Sequence, residues 1–220
     1  MSDLADDPAE FWNRRHDLPV EPTTDEEVAA RSGDDHLVVL FDLSDRTSEA
    51  FGSMLDRLDA FDSLAVAPSR YLHVTVTVVG DVTTAGGRSG TVAPTDLDAL
   101  ADDLGEALTD VAPFDVRFPR LNVFPTVVYA EVDDGGQFVA LNDRACAVDA
   151  VPVHDRDRQF VPHAALAEFR DEDVTGVVDA LERDRSLDVG PVRVDRLDLV
   201  RVGLDDRFPR FERLRRFALD

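Results

Sequence analysis

The sequence predicts an α+β fold made of two similar lobes. Strand-like and helix-like segments alternate from His36 onward, and the chain of 220 residues is long enough to bury a large core. The segment VVLFDLSD (38–45) returns as VVYAEVDD (127–134), and a histidine follows each copy, 35 residues after Val38 and 36 after Val127. Such ordered matches at nearly fixed offsets predict an internal duplication.

The first half of the chain reads as strand, helix, strand and helix, followed by two more strands. β-Branched and aromatic residues mark the strands, and apolar residues at helical spacing mark the helices. The predicted elements are strand 37–43, helix 46–61, strand 71–80, helix 95–111, and strands 114–124 and 127–132. Thr95 with Asp98 three residues later has the pattern of a capping box at the start of the second helix.

The second half repeats this order. It predicts a helix over 138–148, a strand beginning at His163, a helix over 174–181 and a final strand. The last strands of the two halves share the pattern Val-Arg-x-x-Arg-Leu, at 116–121 and 192–197. We expect the strands to cross between the lobes near the C-terminus, so that the halves are not separable domains.

The predicted boundaries are an acidic, flexible leader over residues 1–33 and a single bilobal domain over 34–220. The leader holds no apolar stretch of signal-peptide length, and no window reaches the roughly 20 apolar residues of a membrane span. A cytoplasmic protein without a membrane partner is therefore expected. The single cysteine, Cys146, excludes an internal disulfide. The oligomeric state is left open, with a monomer as the expectation.

The charge is strongly acidic, with 46 acidic against 23 basic residues and a net charge of -23. Every basic residue is Arg. Such a surface repels nucleic acid at low salt. At about 1 M salt the screening length falls to roughly 3 Å, and the repulsion is lost. We therefore interpret the charge as salt adaptation, typical of a halophilic protein, rather than as a code for a partner.

The two histidines at equivalent repeat positions are the candidate site. Because residues i and i+2 of a strand share a face, His73 is expected beside Thr75 and Thr77, with Val74, Val76 and Val78 on the apolar side. By the same rule His163 shares a face with Ala165 and Ala167. Two lobes related by a pseudo-two-fold axis would bring both faces to one cleft. The alternative is that each imidazole is an ordinary polar residue on a half-buried strand.

These residues resemble the 2H phosphoesterases, the superfamily of the 2'-5' RNA ligases and RNA 2',3'-cyclic phosphodiesterases, whose signature is two H-x-[ST]-x motifs, one in each lobe. The first motif here is His73-Val74-Thr75-Val76, followed by Gly80 and Asp81, and the second is Pro162-His163-Ala164-Ala165-Leu166. The resemblance runs from about His36 to the C-terminus. It implies two lobes, each a small antiparallel β-sheet with outer helices, facing one another across a central cleft.

The resemblance also implies a metal-independent phosphodiesterase that needs no cofactor. Its substrate would be an RNA end or a small nucleotide that carries a 2',3'-cyclic phosphate. His163 would act as base on water and His73 as acid on the leaving oxygen, which leaves a 2'-phosphate. Thr75 would hold a nonbridging oxygen. The reverse reaction would be a 2'-5' ligation without ATP.

The second motif departs from the family, because Ala165 stands where a Ser or Thr is expected. The missing hydrogen bond to a charged group is worth about 1.5–3 kcal/mol, or roughly 10- to 150-fold. Arg158 would compensate by a bidentate phosphate contact. Tyr71 would stack on a base or sugar, with packing as its other role. The open alternative for the whole protein is an RNA- or nucleotide-binding module with a weakened or inactive site.

A metalloenzyme is the competing class. The sequence contains neither H-E-x-x-H nor Cys-x-x-Cys. His154 lies beside Asp155 and Asp157, an arrangement that a charged loop explains more simply. No metal site is therefore expected.

Overall fold

The structure is a computed structural model that describes residues 8–31, 35–46, 49–83, 90–151 and 160–220. Within these ranges the chain forms two five-stranded sheets with helices packed against them, which confirms the α+β prediction. The strands are β1 (Asp35–Asp42), β2 (Leu64–Val66), β3 (His73–Val82), β4 (Thr91–Val92), β5 (Phe114–Val123), β6 (Val127–Glu131), β7 (His163–Phe169), β8 (Ser186–Val194), β9 (Arg196–Val202) and β10 (Phe211–Ala218).

The first sheet has the strand order β10-β9-β1-β3-β4, and the second has the order β2-β7-β6-β5-β8. In each sheet the two strands that open a sequence repeat and carry its histidine are antiparallel neighbours, β1 with β3 and β6 with β7. The strands β2, β4 and β10 extend the sheets beyond the predicted elements. Sequence patterns do not reveal β10 because its sequence, FERLRRFA, interrupts the apolar alternation with arginines.

Six α-helices lie in the described part of the chain. They are α1 (Pro8–Asn13), α2 (Asp25–Ala30), α3 (Glu49–Leu58), α4 (Leu97–Leu108), α5 (Gln137–Cys146) and α6 (Thr175–Arg183). The capping box predicted at Thr95 is wrong: a 3-10 turn over Pro94–Asp96 precedes α4, and the Thr95 hydroxyl donates to the Asp96 carboxylate instead. No described helix has both the length and the hydropathy that a membrane crossing requires.

Each sheet is covered by a helix from the other sequence repeat. Helix α3, which follows β1, packs on strands of the second sheet, where the ring of Phe51 lies 5.2 Å from that of Phe118. Helix α5, which follows β6, packs on β3 of the first sheet. There the Asn142 side-chain amide donates to the Val76 carbonyl over 2.7 Å. The two repeats are therefore interlocked around one apolar core.

The copies of the Val-Arg-x-x-Arg-Leu pattern meet in the structure. Strands β5 and β8 are antiparallel, and Val116 of one copy is paired with Val192 of the other. The chain then continues from each copy into its own sheet: Leu121 is paired with Ala130 in the second sheet, and β9 pairs with β1 in the first. The passage from β8, in the second sheet, to β9, in the first, is a crossing of the kind that the sequence predicts near the C-terminus.

The N-terminal segment, which we define as the described residues 8–31, lies against the second sheet. The amide of Glu21 donates to the Pro125 carbonyl, and the amide of Thr23 donates to the Phe169 carbonyl, both over 2.8 Å. A capping box at Thr24 starts α2. The proposed boundary between a leader and a domain, near residue 33, stays a prediction.

Candidate active site

The two motif histidines begin β3 and β7, one strand from each sheet, and these strands contact each other. Each ring is fixed in the same way. His73 Nδ1 lies 2.6 Å from the Tyr71 carbonyl, and His163 Nδ1 lies 2.8 Å from the Val161 carbonyl. Because a carbonyl oxygen only accepts, Nδ1 donates in both rings and Nε2 keeps its lone pair for chemistry.

A β-bulge follows both histidines at equivalent positions. Val39 is paired with Thr77 and Leu40 with Thr75, which leaves Val76 without a partner residue. In the second sheet Val128 is paired with Ala167 and Tyr129 with Ala165, which leaves Leu166 without one. The extra residue reverses the alternation of faces beyond it.

The bulges correct part of the predicted face. His73 shares its face with Thr75, as expected. Thr77 does not share it: its side chain is buried, with the hydroxyl 3.5 Å from Cys146 Sγ. Val78, predicted to be buried, is 45% exposed and lines the cleft. Ala167 is likewise buried, and Glu168 takes the cleft position.

Each histidine ring stands edge-on to a stacked pair of aromatic rings. For His73 the pair is Tyr71 and Phe211, whose centroids are 5.2 Å apart at 29°; the imidazole lies 5.1 Å from the first and 5.0 Å from the second. For His163 the pair is Tyr129 and Phe124, 4.0 Å apart at 19°; its imidazole lies 5.4 Å and 4.9 Å away. Aromatic pairs of this kind fix the ring planes beyond their burial.

Burial keeps both imidazoles neutral in the free protein. Burial is the main reason that the pKa of His73 falls to about 4; the hydrogen bond to the Tyr71 carbonyl opposes the shift, and the nearby His163 adds to it. Burial likewise lowers the pKa of His163. Burial, followed by the charge of Glu168, raises the pKa of Tyr71 to about 12. Near neutral pH both histidines are therefore proton acceptors until an anion binds beside them.

A cavity of about 260 Å³ opens beside His73 and Thr75. Its apolar floor is the cleft face of the first sheet, formed by Val38, Leu40, Val202 and Phe211. Ligand cavities span about 300–1,000 Å³ in general, so this one has room for a single base or nucleoside. His163 is not among its described lining residues; it begins β7, which contacts β3 and lines the cavity through Glu168.

Two arginines line this cavity. The side chain of Arg207 is only 10% exposed and is held by Glu168 and Asp25, both at 2.9 Å, and by the Thr23 carbonyl at 2.8 Å. Arg31, at the end of α2, also lines the cavity, and none of the described ion pairs engages it. Of these two arginines, Arg31 is the one that the described ion pairs leave available to an anionic group of a ligand.

Three of the six predicted site residues line the cavity, and two more lie on the contacting strand β7. Tyr71, His73 and Thr75 line one cavity, and Ala165 lies on β7 two residues from His163. The register gives Ala165 the same place in the second sheet that Thr75 has in the first. Arg158 lies outside the described residues, so its phosphate contact stays a prediction.

Several residues at the site were not predicted from the sequence. His36 follows directly on the acidic leader and matches no motif, yet it lines the cavity and its Nδ1 is hydrogen-bonded to the Asp81 carboxylate. Phe124 and Phe211 contact the histidines from distant segments, and no local pattern marks them. Among the described residues, no three His, Cys, Asp or Glu side chains are grouped so as to hold a metal ion. His154 lies outside that part of the chain.

Solved structures of the same fold come from several bacteria. The protein TT0787 of Thermus thermophilus is 21% identical, with a TM-score of 0.61 over 83% of this chain and 97% of that one. Apo LigT of Escherichia coli is 17% identical, with a TM-score of 0.57 over 86% and 99%. LigT complexed with 3'-AMP is also 17% identical, with a TM-score of 0.59 over 85% and 99%. At these identities the likeness establishes the fold.

The family assignment comes from the sequence. No curated protein matches the chain significantly. The model of the 2'-5' RNA ligase superfamily matches residues 47–206, which include both histidine motifs and the strands that hold them. The paired histidine strands agree with that match, and the protein belongs to the 2'-5' RNA ligase superfamily of 2H phosphoesterases.

Proposed function

We propose that this protein hydrolyses a 2',3'-cyclic phosphodiester, on an RNA end or a small nucleotide, by a metal-independent two-histidine mechanism. The observation that carries the proposal is the pair of imidazoles on contacting strands, each held through Nδ1 by a backbone carbonyl. Two nitrogens free to exchange protons are what an in-line attack on phosphorus needs, one on each side. The same residues would catalyse the reverse 2'-5' ligation.

We assign His163 as the base that deprotonates water and His73 as the acid that protonates the departing 3' oxygen, so that a 2'-phosphate remains. An acid must carry a proton, whereas burial lowers the pKa of His73 to about 4 in the free protein. The negative phosphate favours the protonated imidazole and raises that pKa on binding. Substrate binding therefore prepares the acid.

The remaining residues fit around this reaction. The Thr75 hydroxyl donates to a nonbridging phosphate oxygen and stabilises the charge that grows there. The cavity beside His73 takes the base or sugar, with Tyr71 and Phe211 on one wall and Arg31 available for a further anionic group. A nucleotide ligand is in keeping with E. coli LigT, whose structures include complexes with 3'-AMP, ATP and NADP+.

The direct experiment is turnover of an RNA with a 2',3'-cyclic phosphate end, in high salt and with a chelator present. His73→Ala and His163→Ala are assayed alongside. We expect a 2'-phosphate product and a loss of about 10²–10⁴-fold in kcat for each variant, as for other acid–base groups. Turnover that survives the loss of both imidazoles, or that needs a divalent cation, would contradict the mechanism.

A second candidate is a nucleotide-binding module without turnover, favoured by the hydroxyl that Ala165 lacks. Calorimetric titration with 3'-AMP separates the two. A module binds the nucleotide with an affinity that His73→Ala and His163→Ala leave intact, and it releases no product over hours. An enzyme releases product and loses that activity in both variants.

A further inference from the structure

The stacked pair beside His163 has a third ring behind it, and that ring comes from the N-terminal segment. Phe11 of α1 is buried, and its ring lies 4.7 Å from Phe124 at 79°. Phe124 in turn lies 4.9 Å from the His163 imidazole at 88°. A continuous series of ring contacts therefore runs from the N-terminal segment to a histidine of the site.

A second contact reaches the same place by hydrogen bonds. The buried amide of Asn122 donates to the Pro8 carbonyl at 2.7 Å and to Glu131 Oε1 at 2.8 Å. Glu131 is the cross-strand partner of His163. Helix α1 thus contacts Phe124, which lies against His163, and is linked through Asn122 to Glu131, the residue paired with His163.

A third ring also lies behind the stacked pair beside His73, in the first sheet. There Phe208 lies behind Tyr71, at 5.2 Å, and closes the stacked pair beside His73. Phe208 belongs to the connection between β9 and β10, whereas its counterpart Phe11 comes from α1, and both lie outside the region 47–206 that matches the family. In this chain the second lobe obtains its third ring from the N-terminal segment.

We propose that Phe11 is a positioning residue for His163, acting through Phe124, and that the N-terminal segment is part of the active site rather than an appendage. The contact holds the Phe124 ring against the imidazole and keeps water from that side of it. The inference rests on the proposed function only for its kinetic readout, because the state of the His163 ring is observable without turnover.

The test is an NMR titration of the imidazole resonances in the full chain, with His163 assigned by its absence from the spectrum of His163→Asn. In Phe11→Ala, water reaches Phe124 and the burial that lowers the pKa of His163 is relieved. The His163 titration should shift to higher pH while that of His73 stays in place. If turnover is present, kcat should fall by about tenfold or more with little change in KM, since the ring and not the substrate site is displaced.

Two further variants distinguish a specific effect of Phe11 on His163 from a general loosening of the N-terminal segment. Phe11→Leu keeps a smaller apolar side chain on Phe124, so the His163 titration should still shift to higher pH, but by less than in Phe11→Ala. Arg15→Gln removes the ion pair between the N-terminal segment and Glu182 but no contact to Phe124, so it should leave both titrations unchanged. The titratable and charged groups around His163 are unaltered in all three: His73 on β3, Tyr129 and Glu131 on β6, and the arginines 120 and 185 that face Glu131.

A His163 titration that is the same in Phe11→Ala as in the wild type would overturn the proposal, as would an equal shift in Arg15→Gln. If Phe11→Ala proves unfolded, Phe11→Leu decides alone: a small upward shift confined to His163 supports the contact, and none refutes it. Absence of turnover in the wild type would count against the proposed function and not against this positioning role.

Discussion

Ala165 is the residue at which we expect a single substitution to change the activity of the proposed site most directly. Its register position in the second sheet is that of Thr75 in the first, and it lies two residues from His163 on the same strand. The Ala165 side chain at this place lacks the hydroxyl that Thr75 offers to a phosphate oxygen. The two motifs therefore have equivalent backbone positions and differ in one side-chain hydroxyl.

Restoring the hydroxyl should increase activity. Ala165→Thr supplies a donor to the charged phosphate, worth about 1.5 kcal/mol or more, so kcat/KM should rise roughly tenfold. Ala165→Val is the matched control, because it has the same branched shape without the donor. Steady-state kinetics on the cyclic phosphate compares the two, and equal effects of Thr and Val would show that no phosphate oxygen lies within reach.

The neutral state of His73 makes stability depend on pH. Burial lowers its pKa in the folded protein to about 4, whereas an imidazole in the unfolded chain titrates near 6.5. Between these values the unfolded state binds more protons, so this contribution is present at neutral pH and is lost as the pH falls from about 6.5 to about 4. The window lies below the physiological range.

The variant His73→Gln lacks this titration. Its free energy of unfolding in urea should fall less steeply than that of the wild type between pH 7 and pH 4.5, so that the difference between the two proteins changes across the window. A difference that is constant with pH would show that the folded and unfolded imidazoles titrate alike.

Among the elements of the first sheet, β9 and β10 are joined by a buried carboxylate. Asp198 is 4% exposed in its side chain and accepts two bonds from Arg216, from Nε at 2.8 Å and from Nη2 at 2.9 Å. Arg216 is 40% exposed, and a second arginine, Arg213, lies 4.0 Å away. The two partners of this ion pair are thus unequally buried.

That inequality predicts unequal costs of mutation. Arg216→Ala leaves a buried carboxylate short of its partner, and we expect a loss of about 3 kcal/mol in the free energy of unfolding. Asp198→Ala leaves an arginine that can turn to solvent, and the expected loss is about 1 kcal/mol. Urea unfolding of both variants measures the ratio, and a greater loss in Asp198→Ala would mean that the pair is held by the arginine's surroundings instead.

Over the molecule as a whole, the net charge of -23 opposes the compact state. Several of the described ion pairs have both partners exposed, and such pairs contribute about 0–1 kcal/mol each. Salt weakens both the net repulsion and these pairs. Because acidic residues outnumber basic ones two to one, relief of repulsion should be the larger effect.

We therefore expect the melting temperature to rise as sodium chloride increases from about 0.1 M to about 1 M, where the screening length falls from about 10 Å to about 3 Å. Replacing two acids of α4, Asp103→Asn with Glu106→Gln, should flatten this dependence. Calorimetry at several salt concentrations measures it. A melting temperature that falls with salt would show that attractive pairs dominate and would count against salt adaptation.

Local patterns in the amino-acid sequence are enough to predict the fold class and the order of the main strands and helices between residues 37 and 181, and they single out two histidines as the candidate site. Residues of strand and helix propensity recur in a fixed order, and the duplicated segments mark both histidines at equivalent positions. The sequence also gives the identity of the motif residues, including the alanine at 165 that lacks a hydroxyl. Residue identity and spacing along the chain need no knowledge of tertiary contacts.

The faces and partners of those residues depend instead on tertiary packing. The bulge at Val76 turns Thr77 inward and Val78 outward, because a strand's faces alternate only while its register is unbroken. Helices cross to the opposite sheet, and Phe11 and Phe124 stand behind His163 from different segments. Contacts between residues far apart in the chain are set by packing and strand register, and no local pattern records them.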